Sequence, residues 1–149
     1  IREKVLPAGS PAIAESAELI GRAELLRGDL AAALSSLERA LQIRQAALPP
    51  TSLEVARSLR YLGEARLAAK EASEAAELLG RAVTTLVAGE AEAPELSATR
   101  FALARALAGA GKADAAITTA RQAREALSPA FADEAAAIDA WLASQAPRP

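Results

Sequence analysis

Arg57 and Arg60 stand three residues apart, with Tyr61 beside them and Glu64 one turn further on. On a helix that spacing lets both guanidiniums project together toward an acidic group, with Glu64 neutralising part of the charge. Arg and Tyr are the side chains that most often anchor interfaces, so Arg60 and Tyr61 are the first candidates for recognition chemistry. Other groupings fail simple physical tests. Asp133 and Glu134 are adjacent, and adjacent residues point to different sides of a helix, so they read as first-turn charges facing the helix dipole. Gly111-Lys112 lacks the rest of a phosphate loop and reads as a turn. The chain has no His and no Cys. That removes the commonest general base, the commonest metal ligand, thiolate chemistry and disulfides. No catalytic residue, metal site or cofactor is expected.

The elements that must position these residues are helical. Apolar residues make up 52% of the 149, aromatics only 3%, and much of the remainder is Ala. Such a composition forms helices that pack by close backbone approach rather than by bulk. Charged residues are 24%, too few and too patterned for disorder. A net charge of −2 makes no electrostatic case for nucleic acid or an anionic membrane. Nothing approaches the length of a transmembrane span, and a cytoplasmic location is the default expectation.

Punctuation residues divide the chain into seven helices. Ser10-Pro11 opens the first with Ser as N-cap and Pro at the first helical position; it runs to about Arg27 and turns at Gly28-Asp29. The second spans roughly Leu30 to Ala47 and stops at Pro49-Pro50. Thr51-Ser52-Leu53-Glu54 reads as a capping box opening a third helix over about Ser52 to Ala69. A fourth spans Ala72 to Ala88, a fifth Pro94 to about Gly109, a sixth Ala113 to Leu127, and a last one Ala130 to Ser144. Val83 to Val87 has strand propensity but sits in register with helices elsewhere, and register is expected to win.

That register is the dominant signal. The stretch from Leu62-Gly63 to Arg81-Ala82 recurs 42 residues upstream, from Ile20-Gly21 to Arg39-Ala40, and 41 downstream, from Leu103-Ala104 to Gln122-Ala123. Gly63 and Ala75 are small where a neighbouring helix must come close. A single helix pair cannot bury its apolar face, so each pair requires neighbours of its own kind. Ile1-Arg2 to Leu6-Pro7 matches Ile43-Arg44 to Leu48-Pro49 at the same offset, which reads as the tail of a preceding repeat.

These positions resemble the tetratricopeptide repeat. Its small eighth residue falls on Gly21, Gly63 and Ala104, its twentieth on Ala33, Ala75 and Ala116, and its twenty-seventh on Ala40, Ala82 and Ala123. Gly28 and Gly111 hold the turn where the family often has Gly, and Lys70 replaces it in the middle repeat. The long period and the Ile43 to Leu59 linker are similar to the kinesin-light-chain-type subfamily. Two departures stand out. The chain has no Asn, so the family's usual peptide-backbone and terminal-carboxylate contacts cannot be built in their usual form. Arg100 stands where a large apolar residue is expected, which implies atypical packing of the third repeat.

The resemblance implies an all-α, right-handed superhelical solenoid of three helix pairs with a C-terminal capping helix. Residues 1–7 would be the repeat remnant, 8–48, 49–89 and 90–129 the repeats, and 130–149 the capping helix and a frayed tail. Phe131 and Trp141 then cover the end of the solenoid rather than forming a binding patch. The first helix of each pair would line the concave face. That assigns Glu18, Arg22, Arg57, Arg60, Tyr61, Glu64, Phe101 and Arg105 to a peptide groove, with Glu15, Leu25, Leu67, Ala98 and Ala108 on the same rows. A solvated face with i,i+4 pairs Glu18–Arg22 and Arg60–Glu64 is the competing reading, and both stay open.

The implied function is binding of a protein or peptide, not catalysis. The implied context is the C-terminal sensor or docking module of a larger bacterial signalling protein, a Ser/Thr protein kinase being the first candidate. An enzyme fragment is the rival from another class. A structural oligomeriser is the third reading: without a preceding repeat, the face of Ala14, Ala17, Ile20 and Leu37 would stand open for self-association.

Overall fold

The computed structural model describes residues 9–147. The expected remnant at 1–7 lies outside the described residues. Seven α-helices follow in order: α1 (Pro11–Arg27), α2 (Leu30–Ala47), α3 (Leu53–Ala68), α4 (Ala72–Ala88), α5 (Ala93–Gly109), α6 (Ala113–Glu125) and α7 (Ala132–Ser144), with a 3-10 turn at Pro129–Phe131 before α7. Among the described residues there is no strand, and Val83 to Val87 lies inside α4. Each helix packs on the next in the chain, most extensively α1 on α2, α3 on α4 and α5 on α6. The odd-numbered helices α1, α3 and α5 also touch one another along one side. That side presents the candidate residues.

Three turns share one backbone solution. Gly28, Lys70 and Gly111 all adopt a left-handed conformation, with φ of +80°, +64° and +79°. In each, the positive-φ residue donates its N–H to the carbonyl three residues back and the next residue donates five back: Lys70 N to Leu67 O and Glu71 N to Arg66 O in the middle turn. This closes the helix with a Schellman-type cap. The period therefore dictates the turn even where Lys stands in place of Gly.

The starts of helices differ in detail from the sequence reading. Ser52, not Thr51, is the N-cap of α3, its Oγ accepting from Val55 N at 3.1 Å, so the Thr51/Glu54 box does not form. Ser10 is extended at the start of α1, but its hydroxyl makes no cap bond and is buried without a partner. Asp29 caps α2 instead, accepting from Ala32 N at 3.2 Å.

The core runs through the molecule as linked clusters. One joins Leu37 and Leu41 of α2 to Val55, Leu59, Leu62 and Ala65 of α3. A second joins Ala75 and Leu79 of α4 to Ala102 and Ala106 of α5. A third joins Ala104, Ala120 and Ala123 to Leu127, Ala135 and Ile138, with Phe131 and Trp141 packed against it, so α7 covers the end of α6 as expected.

One expectation needs correction at the edge of this core. Ala14, Ala17 and Leu37 are buried; Leu37 lies against Gly21 of α1 and in the cluster that joins α2 to α3. The apolar residues left open on α1 are Leu19, Ile20 and Leu26. Ile20 is 53% exposed, whereas Leu62, its equivalent one repeat on, is 4% exposed beneath the preceding pair. Arg100 is the equivalent of the core residue Leu59 and is half-buried, with its Nε sequestered and unpartnered.

Candidate binding face

The centre of the face is built by α3. Tyr61 packs its ring against the α2–α3 core cluster. Two guanidiniums approach the ring: Arg22 of α1 lies 4.4 Å from its centroid and Arg60 lies 5.0 Å away. Both distances are within cation–π range. Arg60 also donates from Nε to Glu64 Oε1 at 2.9 Å, which is the i,i+4 pair expected of a solvated helix face. Arg22, Arg60, Tyr61 and Glu64 thus form one platform spanning α1 and α3.

Arg57 is placed differently from its neighbour. It makes a two-pronged contact with Glu95 of α5, Nε to Oε1 at 2.7 Å and Nη2 to Oε2 at 3.2 Å. The hydrogen bond to the Glu95 carboxylate raises the guanidinium above its ordinary pKa, against the smaller opposing effect of burial. Arg57 therefore ties α3 to α5, and the two arginines do not form a free basic pair.

Glu18 is drawn into the structure. It is buried, and its carboxylate accepts from Arg44 of α2 and, at 3.2 Å, from the Ser58 hydroxyl of α3. Arg44 reaches Ser58 Oγ at 2.7 Å and the Glu54 carbonyl at 3.2 Å. The expected Glu18–Arg22 pair is absent because Arg44 claims the carboxylate, which leaves Arg22 for Tyr61. Arg44, Ser58 and Glu95 were not singled out from the sequence. One signal was available for the first: Arg44 occupies the repeat position of Leu86, which is fully buried, and a charge there requires a partner.

Phe101 and Arg105 lie on α5. Phe101 meets Trp141 of α7 edge to face, with centroids 5.9 Å apart and planes at 82°. Phe101 and Arg105, with Glu64, line a cleft of about 360 Å³ between α5 and α7. A second cleft of about 500 Å³, lined by Glu15, Glu18, Leu19, Arg22, Arg44 and Arg57 among others, lies on the α1 side of the platform. Among the described residues no group of His, Cys, Asp or Glu is arranged to hold a metal ion, and no helix is long and apolar enough to cross a membrane.

A search of curated proteins finds no match. Solved structures do match. The kinesin light chain nearly identical TPR-like repeats of Podosopora anserina superpose with a TM-score of 0.78 at 24% identity, covering 95% of this chain and 69% of that one. BtubC (BKLC) from P. vanneervenii gives 0.74 at 19% identity, covering 95% and 52%. The N-terminal domain of stress-induced protein-1 from C. elegans gives 0.63 at 12% identity, covering 87% and 96%. These likenesses support the all-helical repeat fold. The profile of the tetratricopeptide repeat family matches residues 12–86, half of the chain, across the helices that carry Gly21, Ala33, Gly63 and Ala75, and the chain belongs to that family.

Proposed function

We propose that the chain is a non-catalytic docking module that binds a segment of another protein across α1, α3 and α5, centred on Arg22, Arg60, Tyr61 and Glu64. Tetratricopeptide repeats in general mediate protein–protein interaction. The observation that carries the reading is the Tyr61 ring lying within cation–π distance of two guanidiniums, one from α1 and one from α3. Such a platform offers apolar area, hydrogen-bond donors and charge at one place, the mixture that anchors interfaces. Arg22 has no carboxylate partner among the described residues, and Arg60 shares its charge with a half-exposed Glu64. A ligand carboxylate is accommodated at Arg22 without dismantling an ion pair, whereas at Arg57 it would have to displace Glu95. The ligand is therefore a protein segment with an acidic residue near an aromatic or aliphatic one.

The finer context, a docking module of a larger bacterial signalling protein with a Ser/Thr kinase domain as first candidate and a cytoplasmic location, is supported by the family resemblance alone. The full-length gene tests it. Binding is tested by pull-down followed by calorimetry on Arg22→Glu and Arg60→Glu variants whose melting curves are unchanged.

A second reading, self-association through the α1 edge, is favoured by one observation: Leu19, Ile20 and Leu26 are all exposed on the same helix. Sedimentation over a concentration range tests it.

A further inference from the structure

The last helix does more than cover the core. Between α5 and α7 lies the cleft of about 360 Å³, large enough for a side chain and its flanking backbone. Its buried apolar lining is Ala102, Leu127 and Ile138. Ser97 is the buried polar residue in it, and its hydroxyl is committed to the Ala123 carbonyl at 2.8 Å, so it asks nothing of a ligand. Ala98 of α5 and Ala137 of α7 are exposed and small, and they leave the opening clear.

The rim is charged. Glu64 is already bonded to Arg60. Arg105 and Glu134 are exposed, and neither has an ion-pair partner among the described residues. An apolar floor selects an aliphatic side chain, and two unpaired charges of opposite sign select a ligand with one acidic and one basic neighbour.

We propose that α7 is a binding element: the α5–α7 cleft takes an aliphatic side chain of a partner segment, with a carboxylate of that segment on Arg105 and a basic group on Glu134. This rests on the docking reading above and extends it to the C-terminal end of the face. Trp141, the single Trp of the chain, reports on occupancy because its ring packs against Phe101, which lines the cleft.

The test titrates the whole chain with the tripeptides acetyl-Glu-Leu-Lys-amide and acetyl-Lys-Leu-Glu-amide, with acetyl-Glu-Ala-Lys-amide and acetyl-Gln-Leu-Gln-amide as controls. Trp141 fluorescence and the backbone amide shifts of Ala98 and Ala137 are followed. One of the two charged Leu probes should shift all three signals. Losing the Leu side chain should weaken it at least about tenfold. Neutral flanks should weaken it about two- to fivefold, as exposed ion pairs do. Ala98→Phe fills the opening and should abolish the shift at Ala137 with the melting curve unchanged. No shift with any probe, or shifts confined to the α1–α3 cleft, overturns the proposal. A protein partner that is lost with Arg22→Glu and Arg60→Glu but binds normally to Ala98→Phe also overturns it, while leaving the docking reading intact.

Discussion

A Cβ placed on Gly63 would lie 2.6 Å from Leu79 Cγ and 3.0 Å from its Cδ2. Gly21 stands in the same relation to Leu37, at 2.6 and 3.0 Å. In the third pair the equivalents are Ala104 and Ala120, both fully buried. The helix pair thus keeps its spacing by exchanging bulk between two positions: Gly facing Leu twice, Ala facing Ala once. Leu79 is 0% exposed and its Cγ is not a free chain end, so it cannot step aside.

Gly63→Ala should therefore destabilise the fold. The helix-propensity gain of about 1 kcal/mol is outweighed by overpacking, which costs about 1–3 kcal/mol. Gly80→Ala is the internal control, because nothing lies within 4 Å of its Cβ position. It should stabilise by about 0.5–1 kcal/mol. Denaturant melts of both variants check this. Leu79→Ala in the Gly63→Ala background should cost less than the two single changes summed, since it reproduces the Ala104/Ala120 arrangement.

Lys70 carries the backbone conformation that Gly28 and Gly111 carry. A side chain in that region is strained, and Gly is not. Lys70→Gly should raise stability by about 0.5–1 kcal/mol, after the entropy that Gly adds to the unfolded chain is subtracted. A lower melting temperature would mean that Lys70 makes a compensating contact.

Much of this architecture could be read from helix punctuation and the repeat period. Caps and breakers located all seven helices to within a few residues, and the period put the middle turn at Lys70 although no Gly marks it. It also kept Val83 to Val87 helical against local propensity. The site was legible only where pairing is local. Arg60–Glu64 follows from i,i+4 spacing on one helix. The partners of Glu18 and Arg57 come from other helices, 26 and 38 residues away along the chain. Those choices depend on helix crossing geometry, which spacing within one helix does not encode. The open α1 edge was misread for a related reason: of the residues assigned to it, Ala14, Ala17 and Leu37 are buried and only Ile20 is exposed.

The Glu18–Arg44–Ser58 network joins α1, α2 and α3 in a mostly buried setting. Glu18→Ala leaves Arg44 without its carboxylate, and the loss should be about 2–4 kcal/mol, near the lower end for buried pairs because some exposure remains. Replacing both charges, Glu18→Leu with Arg44→Leu, should recover most of that loss, as apolar replacements of buried pairs often do. Equal destabilisation of the single and double variants would show that the network is not acting as a unit.

Leu19, Ile20 and Leu26 should drive reversible association at high concentration. Sedimentation equilibrium should show a concentration-dependent mass that Ile20→Lys with Leu26→Lys abolishes. A single monomeric mass throughout for the unaltered chain removes the self-association reading.

The docking role of the Tyr61 platform is tested most directly by the dissociation constant of a captured partner, measured by calorimetry on three forms of the chain. These are the unaltered protein, Arg22→Glu with Arg60→Glu, and a control carrying the same charge change at exposed Arg39 and Arg81 on α2 and α4. The expected result is at least about a tenfold loss, about 1.4 kcal/mol, for the platform variant alone, with all three melting curves alike. Affinities within about twofold of one another, or a loss confined to the Arg39/Arg81 control, would contradict a binding site centred on Tyr61.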